Sequence, residues 1–190
     1  MLKLNQPAPD FKQSAYQKGL KGDFKEVSLK DFKGKWLILF FYPRDFTFVC
    51  PTELGDLQDY YAELQSLGVD VYGVSHDTHF VHKAWHDTSD TVGKVQYALI
   101  GDPNRILSSY LNNVDANSGL PHRLTIVFDP DGRAQIVETT AEGIGRDAAE
   151  LVRKIRAAIY TRNNPGQVCP AKWKEGAATI APTLDLVGKI

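Results

Sequence analysis

The chain has 190 residues, 43% hydrophobic and 24% charged, with a net charge of −1, enough for one well-buried core and too short for two full domains. That balance removes the electrostatic case for nucleic acid, and the longest apolar run, residues 36 to 42, is too short to span a bilayer. The start, Met1 to Pro7, lacks the apolar core of a signal peptide, so a cytoplasmic protein is expected, and the two cysteines are read as redox-active rather than as a permanent staple.

Residues 1 to 35 alternate loosely between apolar and polar, with Gly19, Gly22 and Gly34 as turn signals. They predict a short hairpin and then a helical turn at Leu29 to Phe32. Trp36-Leu37-Ile38-Leu39-Phe40-Phe41-Tyr42 is continuously apolar and rich in aromatic and branched residues, the pattern of a strand buried on both faces. Leu54, Leu57, Tyr61, Leu64 and Leu67 then recur at three- and four-residue steps, one helical stripe that ends at Gly68.

Cys50 falls between that strand and that helix, in the position of the helix cap. Pro51 suits the first helical position, and Glu53 stands where the acid of a capping box would reach back. A cysteine there faces unpaired N–H groups and the positive end of the helix dipole, both of which favour the anion, and that makes a nucleophile. Strand, loop and cysteine-led helix are the geometry of thioredoxin-like sites, yet Glu53 occupies the place of a second cysteine in a C-x-x-C pair, so no local dithiol forms.

Val69 to Ser75 reads as a second strand, and the alternation of strands and helices implies a mainly parallel sheet. The next segment, Ser75 to His86, gathers four of the five histidines. On a helix beginning near Thr78, His79, His82 and His86 fall on one side at a spacing able to hold zinc. Phe80, Val81, Ala84 and Trp85 explain the same helix as an ordinary amphipathic one, and no metal site is assigned. Tyr97 to Ile100 predicts a strand, and Ile106, Leu107, Tyr110 and Leu111 the face of a short helix.

Arg123 opens a strand over Leu124 to Phe128, which Asp129-Pro130-Asp131-Gly132 turns into another over Arg133 to Thr139. Gly143-Ile144-Gly145-Arg146-Asp147-Ala148 scans as G-x-G-x-x-A. The helix that follows, Asp147 to Tyr160, leads into a tail rather than a second parallel strand, which excludes a dinucleotide fingerprint. Asp147 and Glu150 form a capping pattern, and Leu151, Ile155, Ala158 and Ile159 are expected to face the core. From Thr161 periodicity stops, and the second cysteine, Cys169, lies in what reads as a mobile arm.

Pro43-x-x-x-Thr47-x-x-Cys50 matches the P-x-x-x-T/S-x-x-C signature of the peroxiredoxins. Phe40 to Leu54, Val71 to His86, Thr140 to Arg146 and Gly166 to Ile190 further resemble the typical two-cysteine members, above all the bacterial alkyl hydroperoxide reductase C type. The resemblance implies an α/β thioredoxin-like fold, a central mixed sheet flanked by helices, as a domain over residues 1–163, with a C-terminal arm over residues 164–190. It implies Cys50 as the peroxide-attacking thiolate and Cys169, in Val168-Cys169-Pro170, as the resolving cysteine of a partner chain. Arg123 takes the place of the family's active-site arginine, with Thr47 and Pro43 completing the catalytic set and Glu53 and Arg146 in support. Asn117-Ser118-Gly119-Leu120-Pro121-His122 departs from the family's usual sequence before that arginine, and His76 replaces a threonine.

The activity so implied is reduction of hydrogen peroxide and alkyl hydroperoxides through a Cys50 sulfenic acid and an intersubunit Cys50–Cys169 disulfide. An external flavoprotein disulfide reductase or thioredoxin-like protein would recycle it. A homodimer assembling to a decamer is implied, with no bound cofactor. Neither a G-G-L-G insert before Asp102 nor a Tyr-Phe extension after Ile190 is present in the sequence, which implies resistance to overoxidation. Two other readings use the same residues differently. A thiol hydrolase would take His122 as base, and a ring-shaped holdase would need an exposed apolar surface, of which the sequence displays none.

Overall fold

The computed structural model describes residues 4–20 and 23–189; Gly22 and the chain ends, with their sequence expectations, lie outside them. The chain divides into two compact units, Met1–Ala148 and Ala149–Ile190.

The first unit is built on a seven-stranded sheet in the order β2-β1-β5-β4-β3-β6-β7. β1 (Lys12–Tyr16) and β2 (Phe24–Ser28) form the expected hairpin, followed by a 3-10 turn at Leu29–Phe32. β3 (Trp36–Phe41) is buried at every position, as its unbroken apolar run requires. Its two faces serve different layers: Leu37, Leu39 and Phe41 join a cluster with Tyr72, Ile100, Leu124 and Phe128, while Phe40 on the other face lies under an arginine of the site described below.

β3 runs parallel to β4 (Val69–Ser75), and β4 parallel to β5 (Ala98–Gly101). The other four pairings are antiparallel, including those of β3 with β6 (Arg123–Phe128) and of β6 with β7 (Ala134–Thr140). The sheet is therefore mixed, as the resemblance implies, and not mainly parallel. Helical crossovers after β3 and β4 keep the centre parallel, whereas the β6–β7 hairpin and the N-terminal hairpin can only add antiparallel strands.

Two helices separated at Tyr60, α1 (Val49–Asp59) and α2 (Tyr61–Ser66), carry the single stripe read from the sequence. Leu54, Leu57 and Leu64 are fully buried, and Gly68 at φ 73° supplies the left-handed turn into β4. α3 (His79–Thr88) is capped by Thr78, whose hydroxyl accepts from the Val81 N–H. α4 (Ile106–Tyr110) is only five residues long; it buries Leu107 but exposes Ile106 and Tyr110, and Leu111, which follows it, is buried.

The second unit holds nearly all of α5 (Ala148–Asn163) and the residues after it. Leu151, Val152 and Ile155 are buried, while Ala158 and Ile159 are only half-buried. The Glu150 carboxylate is forked by Arg153 at 2.6 and 2.8 Å. The Ala148 N–H donates to Asp56 at 2.7 Å.

Beyond α5 the chain has little regular structure but is not featureless. Trp173 is buried, its ring 5.0 Å from that of Tyr160 and its indole N–H donating to the Ala177 carbonyl. Val168 and Ile180 pair as an isolated bridge. The sequence shows why periodicity misses this: one tryptophan, not a repeat, organises the segment.

Candidate active site

Sheet register brings three chain segments to one end of the first unit. β3 ends at Phe41 and releases the loop that leads to Cys50. Because Phe40 lies opposite Thr125 on antiparallel β6, Arg123, two residues earlier, comes level with Tyr42. Arg123 pairs in turn with Thr140 at the end of β7, so residues 141 to 146 arrive at the same place. The carboxyl end of a buried strand is also where α/β sheets place ligands.

Cys50 is the second residue of α1, not its cap. Phe48 precedes the helix with no side-chain capping bond, and Pro51 is the third helical residue. The thiol still lies in the first turn, where N–H groups lack helical partners and the dipole is positive. The sulfur is nevertheless enclosed: Cys50 is 1% exposed.

Glu53 is not a capping-box acid. Its carboxylate reaches across the sheet end, accepting from Arg123 Nη1 at 2.6 Å and from Arg146 Nε, Nη2 and backbone N–H at 2.8, 3.1 and 2.9 Å. Sequence spacing alone sees Glu53 beside its own helix start; the sheet register brings it two arginines from 70 and 93 residues away. Arg146 is fully engaged, with Nη1 donating to Thr125 Oγ1 at 3.0 Å and its guanidinium 3.4 Å above the Phe40 ring.

Arg123 Nη1 also lies 3.4 Å from Cys50 Sγ, and Nε donates to the Glu142 carbonyl at 2.6 Å. Its Nη2 has no partner among the described residues. Burial pulls the Arg123 pKa down, but the hydrogen bond to Cys50 and the Glu53 charge outweigh it and hold the pKa above its ordinary value. For Arg146 burial wins over Glu53 and the pKa falls.

Two guanidinium cations and one carboxylate leave a buried net charge of +1 beside the sulfur. A thiolate at Cys50 would bring the cluster to neutrality, which a thiol would not. Uncompensated charge in a low-dielectric site is costly, so the cluster has positive charge left for an anionic group beside it.

The loop between β3 and α1 is anchored from behind by a second buried cluster that sequence reasoning missed. Asp45 Oδ2 and His82 Nδ1 are 2.7 Å apart, the Tyr42 hydroxyl donates to Asp45 Oδ1 at 2.8 Å, and the Asp45 N–H donates to Asp77 Oδ2 at 2.8 Å. These anchors hold Phe46 at φ 55°, a left-handed conformation that an aromatic residue rarely adopts. The only sequence signal was the excess of histidines on α3.

Those histidines do not converge on a metal. His82 faces Asp45 and the Ile100 carbonyl, His86 lies 3.1 Å from the Val95 carbonyl, and His79 meets the Phe24 ring edge-on. Among the described residues no group of three His, Cys, Asp or Glu side chains could hold a metal ion.

Thr47 is half-buried, and its hydroxyl donates to the Arg44 carbonyl at 3.0 Å. Pro43 is buried in the same loop. His122 is exposed, and the polar partner of Cys50 is Arg123, so the base a thiol hydrolase requires is not there. Phe46, Phe48 and Phe80 are exposed, Phe48 at 92%, an apolar surface the sequence did not display. Cys169 is half-buried; burial raises its thiol pKa, with Arg153 opposing.

Residues 4–136 match the family model described as the AhpC/TSA family. The chain belongs to the AhpC/TSA family. It is 58% identical over 187 residues to the alkyl hydroperoxide reductase C of Escherichia coli (strain K12), covering 98% of each chain. The crystal structure of Enterococcus faecalis AhpC superposes with a TM-score of 0.85 at 46% identity, over 90% of this chain and 100% of that one. The reduced Plasmodium vivax 2-Cys peroxiredoxin gives 0.91 at 30% identity, over 97% and 96%. The thioredoxin-like fold of AhpC/TSA proteins is thus the fold of this chain, and its Cys50, Arg123, Glu53 and Arg146 form one connected cluster.

Proposed function

We propose that this member of the AhpC/TSA family is a thiol-dependent peroxidase in which Cys50 attacks hydrogen peroxide and alkyl hydroperoxides. The observation that carries this reading is the buried cluster with net charge +1 and a guanidinium 3.4 Å from the sulfur. Its relatives named alkyl hydroperoxide reductase C support the same chemistry.

The Cys50 thiolate attacks the terminal peroxide oxygen; the S–O bond forms as the O–O bond breaks, and the electron pair leaves on the second oxygen. That oxygen takes a proton to become water or an alcohol, leaving Cys50 as sulfenic acid. Ionisation alone cannot supply the rate, because an ordinary thiol is already a few per cent thiolate at pH 7 and the ceiling is roughly thirtyfold, about 2 kcal/mol. The remainder is assigned to donors that meet charge developing on the leaving oxygen. Arg123 Nη2, which has no protein partner among the described residues, suits that task. The Thr47 hydroxyl serves it once its proton turns from the Arg44 carbonyl. Pro43 shields the sulfur, and Glu53 and Arg146 position Arg123.

Cys169 of a partner chain then condenses with the sulfenic acid, forming a disulfide and releasing water. A sulfur only 1% exposed cannot meet a second thiol where it stands, so the first turn of α1 must open. We assign residues 1–163 to the peroxidase domain and residues 164–190 to the arm that presents Cys169. An external dithiol protein, either a flavoprotein disulfide reductase or a thioredoxin-like protein, restores both thiols. A cytoplasmic dimer that assembles to a decamer fits this cycle, and the exposed Phe46, Phe48 and Phe80 offer apolar surface to cover. Among the described residues no helix is long and apolar enough to cross a membrane.

The test is intact mass under denaturing, non-reducing conditions after one equivalent of hydrogen peroxide. A species of two chains that is absent in Cys169→Ser is expected. A single chain with both thiols unmodified would sink the peroxidase reading.

A further inference from the structure

A cavity of about 580 Å³ lies between the start of β3 and the end of β6, where Leu37 and Phe128 line it, at the opposite end of the strands from Cys50. A smaller cleft of about 290 Å³ is placed differently. Its walls come from the three segments that build the Cys50 site: Pro43 from the loop, Leu120, Pro121 and His122 before β6, and Ala141 and Glu142 after β7. The Glu142 carbonyl accepts from Arg123 Nε at 2.6 Å, so this wall directly adjoins the guanidinium whose Nη1 approaches Cys50.

Resting on the peroxidase reading above, we infer that this cleft receives the organic substituent of a hydroperoxide and selects compact, neutral substituents over those that carry a carboxylate. A peroxide held at Arg123 and Cys50 needs somewhere for its carbon-bearing end, and Cys50 itself has almost no exposed surface. Pro43, Leu120, Pro121 and Ala141 give the cleft apolar walls. Its volume lies at the low end of ligand sites, which limits the substituent to a small alkyl or aryl group.

Charge supplies the second criterion. Asp115 and Glu142 line the cleft, and no lysine or arginine does. The Asp115 carboxylate is fixed by the backbone N–H groups of Asn117 and Ser118 and by the Ser118 hydroxyl, all on Oδ1, at 3.1, 2.7 and 2.9 Å. Those bonds lower its pKa and keep the charge in place at neutral pH. An anionic substituent would meet like charge there, whereas a neutral one meets apolar walls.

The experiment compares kcat/KM for cumene hydroperoxide, a long-chain fatty acid hydroperoxide and hydrogen peroxide in the full chain with its reductant. The unsubstituted protein is expected to prefer cumene hydroperoxide to the fatty acid hydroperoxide. Ala141→Phe, at an exposed position, fills the cleft and should lower the ratio of cumene to hydrogen peroxide turnover about tenfold. Glu142→Gln removes a charge without adding bulk and should raise fatty acid hydroperoxide turnover relative to cumene several-fold. Unchanged ratios in both variants would overturn the inference and leave the peroxidase reading intact. Absence of turnover with all three peroxides in the unsubstituted protein would instead remove that reading and the inference with it.

Discussion

Two buried ionic clusters flank the loop between β3 and Cys50, and they are finished differently. Behind the loop, Asp45, His82 and Tyr42 satisfy one another. His82 Nε2 lies 3.2 Å from the Ile100 carbonyl, Nδ1 lies 2.7 Å from Asp45 Oδ2, and the Tyr42 hydroxyl donates to the remaining carboxylate oxygen. In front, Glu53 joins Arg123 and Arg146 but leaves one positive charge uncancelled and two Arg123 N–H donors without a protein partner among the described residues. A closed network holds backbone in place. An incomplete one has charge and donors left for a reacting atom, and that contrast separates anchoring from chemistry around a single loop.

The comparison is tested most severely at Arg123. Arg123→Lys keeps the charge but loses the planar fork that reaches Cys50, Glu53 and a peroxide at once. Turnover, followed by stopped-flow peroxide consumption, is expected to fall by about 10²-fold or more. The fraction of Cys50 ionised at pH 7, followed by thiolate absorbance, should change far less. If rate and ionisation moved together, the assignment of Arg123 to the transition state would be wrong.

Glu53→Gln comes next. It removes the carboxylate that joins two guanidinium groups and leaves them facing an amide. Urea unfolding should register a loss of about 3 kcal/mol, and misplacement of Arg123 should cost about 10 to 100-fold in kcat/KM. An unchanged rate with lowered stability would make Glu53 an anchor of the Asp45 kind.

How far the sequence foretold these clusters depends on the range of the interaction. β3 and both hairpins were readable because apolar runs, alternation and turn residues are local signals; the spans of β3, β4 and β6 differ from expectation by one residue or none. Glu53 was misread for the same reason: three residues from Cys50, it imitates a capping acid, while its partners are set by register across β3, β6 and β7. Arg123 and Arg146 were found only through resemblance, since nothing in their neighbourhood marks a buried guanidinium. Asp45 and His82 were missed although both were in plain view, because a histidine-rich helix invites a metal and a carboxylate in a loop invites solvent. Burial decides otherwise, and burial depends on the whole first unit.

For the rear cluster the balance between stability and rate should invert. His82→Asn removes the imidazole 2.7 Å from a carboxylate whose pKa burial already raises. A loss of about 3 kcal/mol in urea unfolding is expected. At temperatures where the variant stays folded, kcat/KM should remain within about threefold, an effect below 1 kcal/mol. A hundredfold loss of rate with little loss of stability would place His82 in the chemistry and abolish the distinction between the clusters.

The smallest effect expected comes from His76, which belongs to neither cluster. Its Nε2 lies 2.8 Å from Ser108 Oγ, and its Nδ1 is buried with no hydrogen-bond partner among the described residues. Burial lowers its pKa, with Asp102 opposing and Arg105 adding to the shift. A histidine with a lowered folded pKa binds its proton more readily when unfolded. Its contribution to stability is therefore complete above the unfolded value of about 6.5 and is lost as the pH falls through the folded value. His79 and His86 are lowered too and act in the same direction. His76→Thr should reduce the slope of unfolding free energy against pH below about 6.5 by up to one proton and leave the slope above neutrality unchanged. A slope unchanged on the acid side would mean that His76 takes up its proton in the fold as easily as in water. The loop around Gly119 would then have to open enough to hydrate it.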